Sequence, residues 1–120
     1  MNLSQAYRAS EALAALAHNE GMNAREAYGV MKLTRALRDD ANFYAQKRNE
    51  LLERHGTRDA QDASRFHFAT KACMEAFTEK LRELDETESS ASVEPVVLRG
   101  DIVGVTPDML DALFELVRVE

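Results

Sequence analysis

Cysteine occurs once in these 120 residues, at Cys73, proline twice and glycine five times. A single cysteine excludes an internal disulfide and fits a reducing compartment. So few prolines and glycines leave too little turn chemistry for an all-β fold, whose strands need such residues between them. No run of about 18 apolar residues occurs, so no segment reads as a membrane span. The opening stretch, MNLSQAYRASEALAALAHNE, lacks both a basic start and a continuous apolar run, and does not read as a signal peptide. The expected location is cytoplasmic.

Motifs that carry chemistry are missing too. His18, His55 and His67 lie far apart, and no His-x-x-x-His or Cys-x-x-Cys spacing is present for zinc. Asp39 and Asp40 beside Asn42 lack the Asp-x-Asp-x-Asp-Gly order of a calcium loop. There is no glycine-rich phosphate loop and no Gly-x-Ser-x-Gly elbow. Cys73 shares an apolar stripe with Phe77 and reads as a small buried hydrophobe. His55, near the end of a helical pattern, suits the negative end of that helix. His67 between two phenylalanines reads as part of an aromatic patch. These absences point away from an enzyme, and no cofactor or metal is expected.

What is present is helix-forming composition and unevenly placed charge. Alanine, leucine, glutamate and arginine dominate, all strong helix formers. Net charge is −6. Residues 75–120 carry twelve acids against four bases, and the first 74 residues eleven bases against nine acids. The acidic part repels nucleic acid, so no direct nucleic-acid binding is expected. The second helical pattern is the most basic part of the chain, but Asp39, Asp40, Glu50 and Glu53 dilute its bases. A basic surface on another protein is the natural electrostatic partner.

Helical periodicity organises the chain. A short helix is expected from Ser4, as N-cap, to about His18, with Tyr7, Leu13, Leu16 and neighbouring alanines on one side. Gly21 then falls in a break suited to positive φ. The clearest element follows. Asn23 and Glu26 have capping-box spacing, and Val30, Thr34, Leu37, Ala41, Tyr44, Arg48, Leu51 and His55 recur at alternating intervals of four and three. Tyr28, Met31 and Leu52 broaden that seam, and Gly56 is a natural stop. A helix over 24–55 is about 48 Å long at 1.5 Å per residue. Either other elements pack along it, or part of the seam pairs with a second copy.

The rest is shorter. Residues 64–69 read two ways. Phe66 and Phe68 alternate with polar residues as in a short strand, while Phe66, Thr70, Cys73, Phe77, Leu81 and Leu84 fit a helix that starts earlier. The preferred reading is a short extended piece and then a helix from about Thr70 to Glu86. Residues 87–95 read as a mobile linker of low hydrophobicity. VVLRGDIVGV suggests a strand or small hairpin. Thr106, Pro107 and Asp108 then start a last helix, with Met109, Leu110, Leu113, Phe114 and Val117 as its buried stripe. The expected fold is therefore mainly α: a single domain over 1–120, with a long central helix, about three shorter packed helices, and a minor β element near residues 96–103.

Two surfaces stand out as interaction candidates. Glu75, Glu79, Glu83 and Glu86 recur at four, four and three, which puts them on one helix face opposite Phe77, Leu81 and Leu84. An ordinary solvated face can look the same. Leu37, Tyr44 and Leu51 mark the seam through which a homodimer would form.

The order NELLERHG, FTEKLRELDETE, DIVGVTPDMLDALFELV resembles a family of small tailed-bacteriophage proteins of unknown function. Leu51, Leu52, Glu53 and Gly56 match its Leu-Leu-Glu-x-Tyr-Gly-like turn, with His55 in place of the aromatic. Thr106, Leu110 and Leu113 match its closing Leu-Thr-x-x-x-Leu-x-x-Leu helix. The resemblance spans roughly two thirds of the chain, from about residue 30 onward, and implies a phage or prophage origin without lending an activity. The leading expectation is a non-enzymatic interaction protein that binds, and in doing so inhibits, a host or phage protein with a basic surface, such as a defence nuclease. The alternative is a structural or virion-assembly protein that self-associates along the long-helix seam.

Overall fold

The computed structural model describes residues 1–62 and 64–120. The first helix, α1, spans Leu3–Leu16. It starts earlier than Ser4, because Asn2 and Gln5 form a capping box. The Asn2 side chain accepts the Gln5 N–H at 2.8 Å, and the Gln5 side chain accepts the Asn2 N–H at 2.9 Å. Leu3, Ala6, Ala9, Leu13 and Leu16 are buried, and the alanines let α1 lie close to its neighbours. The break after α1 does not use Gly21 at positive φ. That conformation occurs instead at Gly104, whose turn is held by the Asn19 side-chain amide donating to the Val103 carbonyl at 2.7 Å.

The long helix, α2, spans Ala24–His55 with the expected Asn23–Glu26 capping box. Its length dominates the molecule, whose longest extent is 50 Å. Gly56 ends it in extended rather than left-handed conformation. A Cβ there would lie 2.8 Å from the Leu52 carbonyl oxygen, so glycine is required by close approach.

Beyond Gly56 the chain forms a two-stranded antiparallel hairpin, β1 (Thr57–Arg58) with β2 (Phe66–His67), so within residues 64–69 only Phe66 and His67 are strand and none is helix. Helix α3 then spans Lys71–Glu86, capped by the Thr70 hydroxyl accepting the Cys73 N–H at 3.1 Å. Residues 87–95 run extended back past the chain start. The Leu3 N–H donates to the Thr87 carbonyl, the Ser89 N–H to the Met1 carbonyl, and the Ser89 hydroxyl to Asp40. Ala91 and Val93 pack against the core.

The final third differs most from expectation. Strand β3 (Val96–Leu98) pairs in parallel with β4 (Val117–Val119), in register Val96 with Val117. Helix α4 spans only Pro107–Leu113, with Thr106 as its cap. Phe114 at φ 35° breaks it, a left-handed conformation costly for a bulky residue, and a 3-10 turn leads into β4. Val117 is therefore buried from a strand and not from the last helix.

These elements divide unequally. Buried residues of α1, the first half of α2, β3, α4 and β4 form the core, including Leu13, Leu16, Leu33, Leu37, Leu98 and Leu113. The second half of α2, the β1–β2 hairpin and α3 form an antiparallel arm outside it. α3 has no buried residue at all.

Candidate interaction surface

A polar and aromatic cluster lies where the arm meets the body. Tyr7 of α1 and Tyr44 of α2 have ring centroids 5.0 Å apart. The Arg48 guanidinium lies 4.9 Å from the Tyr7 ring centre and donates to the Tyr7 hydroxyl at 3.2 Å. The Tyr44 hydroxyl donates to an Asp85 carboxylate oxygen on α3 at 2.6 Å. Burial first, then the Asp85 carboxylate, raises the Tyr44 phenol above its ordinary range.

This cluster accounts for much of the seam. Leu37 and Tyr44 are buried within the chain itself, so they are filled from inside and not by a second copy. Two of the polar seam residues also have internal partners: Arg48 serves Tyr7, and the Thr34 hydroxyl donates to the Val30 carbonyl at 2.7 Å. Leu33, outside the seam pattern, is buried instead. Of the three self-association candidates Leu37, Tyr44 and Leu51, Leu51 alone is not buried. It lies with Phe43 and Leu84 in an open groove of about 310 Å³ between α2 and α3, rimmed by Lys47, Arg54 and Lys80 together with Glu50 and Glu83.

All four predicted glutamates lie exposed on α3. Three have a basic neighbour on the same helix: Glu75 with Lys71 at 3.7 Å, Glu79 with Arg82 at 2.8 Å, and Glu83 with Lys80 at 3.5 Å. Such surface pairs contribute about 0–1 kcal/mol each and leave the carboxylates accessible. Glu86 has no ion pair among the described residues. Opposite them, Cys73, Phe77, Leu81 and Leu84 face the arm's interior without being fully buried, with Phe68 and Phe77 ring centroids 5.2 Å apart. Cys73 is thus partly accessible, not the closed core residue its stripe suggested. Phe43 and Met74 are nearly half exposed.

At the other end of the molecule one carboxylate is deeply placed. Glu26 is 4% exposed. It accepts the Arg99 N–H at 2.8 Å and the Arg99 Nε–H at 3.2 Å, and its own N-cap partner Asn23 donates a further N–H. The backbone N–H of Arg99, then that of Asn23, holds its carboxyl below the ordinary range against the opposing effect of burial. Capping spacing located Glu26 in the sequence, but nothing there linked it to Arg99.

Among the described residues no three His, Cys, Asp or Glu side chains are grouped to hold a metal ion, and no helix is long and apolar enough to cross a membrane. No family model, no curated protein and no solved structure matches the chain.

Proposed function

We propose that this chain is a non-enzymatic interaction protein, of phage or prophage origin, that binds a host or phage protein through its α2–α3 arm. One observation carries the reading. α3 is an amphipathic helix of 16 residues with no buried residue, tied to α2 by the Tyr44–Asp85 hydrogen bond. A helix whose only role was to stabilise the fold would bury its apolar stripe more completely. The accessible glutamates supply an acidic rim for a basic partner surface, and the exposed Phe43 and Met74 supply apolar area beside it. Where that basic surface is a nucleic-acid track, as in a nuclease, occupancy inhibits.

The test uses the tagged full chain to capture proteins from bacterial lysate as salt is raised, followed by binding to the purified candidate. A triple variant, Glu75→Lys, Glu79→Lys and Glu83→Lys, keeps its helix content by circular dichroism and loses binding. Unchanged binding by that folded variant refutes the acidic-face reading. The open Leu51–Phe43–Leu84 groove favours self-association as the second reading. A mass that rises with concentration and falls in Leu51→Asp, with the fold intact, selects it.

A further inference from the structure

A groove of about 480 Å³ lies between the start of α2 and strand β3. The two run antiparallel: Lys32 meets Glu94, Gly29 meets Val96, and Glu26 meets Arg99. A Cβ at Gly29 would lie 3.1 Å from a Val96 methyl, so the absent side chain is what lets β3 settle against the helix. The strand edge facing the groove is open. In the parallel register Val96 with Val117 and Leu98 with Val119, with the Glu120 N–H donating to the Leu98 carbonyl, the main-chain groups of Val96 and Leu98 serve β4. Those of Val97 point the other way. The Arg99 N–H on that edge is taken by Glu26, whereas the Val97 N–H and C=O have no partner among the described residues. An unpaired edge is a template for another strand.

We infer that this edge receives an extended segment of a partner protein by strand addition, with an apolar residue flanked two positions away on each side by acidic ones. An added strand continues the sheet over α2, so alternate side chains meet Arg25, Tyr28 and Lys32 on the helix wall, while Glu94 and Glu120 also line the groove. Tyr28 is 61% exposed and offers an apolar platform. Arg25 has no ion pair among the described residues. Lys32 lies over the Tyr28 ring at 5.5 Å, and its contact with the exposed Glu94, at 3.6 Å, is a weak surface pair that an incoming carboxylate replaces. Arg25 to Lys32 spans about 10 Å along the helix, and residues i to i+4 of a strand span about 13 Å, so the spacings fit. The site is separate from the arm, and its failure would leave the arm's reading untouched.

The probe is the blocked peptide acetyl-Glu-Thr-Val-Thr-Glu-amide, titrated into the isotopically labelled full chain and followed by NMR. The expected result is saturable shifts confined to residues 25–32 and 95–99. Two further peptides, N-methylated either at the valine or at both threonines, give the decisive comparison. Alternate amides of a strand face opposite ways, so one of the two weakens binding at least about tenfold and the other does not. In the protein, Val97→Pro removes the edge N–H while sparing the ladder to β4, and weakens the parent peptide similarly. No saturable binding, equal effects of the two methylation patterns, or shifts on α3 instead would overturn the inference. So would concentration-dependent shifts of the same residues in the protein alone, which would give the edge to a second copy.

Discussion

Truncating Leu37 to alanine should cost far more than truncating Leu81, although both are leucines on helical seams. Leu37 has no exposed area and lies in the core where α1 and α2 meet. Its loss removes about three buried methylene equivalents at about 0.8 kcal/mol each and leaves a cavity that packed alanines of α1 cannot close. The expected cost is about 3–5 kcal/mol. Leu81 sits on α3, which buries no residue, and keeps part of its surface in water. Its transfer contribution shrinks to about 1.5–2 kcal/mol, and solvent fills the space left behind. Urea unfolding of both variants, with slopes compared, measures the difference directly. The same division predicts slower amide exchange in α1 and the first half of α2 than in α3. Equal costs, or equal protection of α1 and α3, would refute the partition into a packed body and a loosely covered arm.

Three further outcomes follow from single groups. Glu26 has a folded pKa below its ordinary 4.5, so its contribution is complete above that value and is lost as pH falls through the lower folded one. Glu26→Gln should therefore flatten the acid limb of the stability curve below about pH 4.5, and an unchanged acid limb would exclude the carboxylate as its source. Tyr44 behaves oppositely: its raised folded pKa favours the neutral phenol, and stability drains as pH rises past 10.0. Tyr44→Phe should lose about 1–2 kcal/mol at neutral pH and the alkaline slope with it, read by thermal melts across pH. Gly56→Ala places a Cβ against the Leu52 carbonyl oxygen and should destabilise by about 1–3 kcal/mol, whereas a neutral or stabilising effect by urea titration would show that this turn shifts freely.

Local rules were enough to read α2, α3 and the start of α4 from the chain alone. Asn23, Thr70 and Thr106 each cap a helix through a side chain three residues from the N–H it serves, so position in sequence determines position in space. The four glutamates share one face of α3 for the same reason, since helical period is local. Three features needed the tertiary structure. The closing strand Val117–Val119 exists because it pairs with β3, twenty-one residues earlier, after Phe114 breaks a helix that periodicity would have continued. Leu37 and Tyr44 are spoken for because α1 folds back on them, and a seam pattern is the same whether filled by the chain itself or by another. Glu26 with Arg99, Tyr44 with Asp85 and Ser89 with Asp40 join residues far apart in the chain, and the open edge at Val97 exists only once β3 has chosen its partner. Caps and periodicity act over a few residues, while pairing and burial depend on which distant surfaces meet.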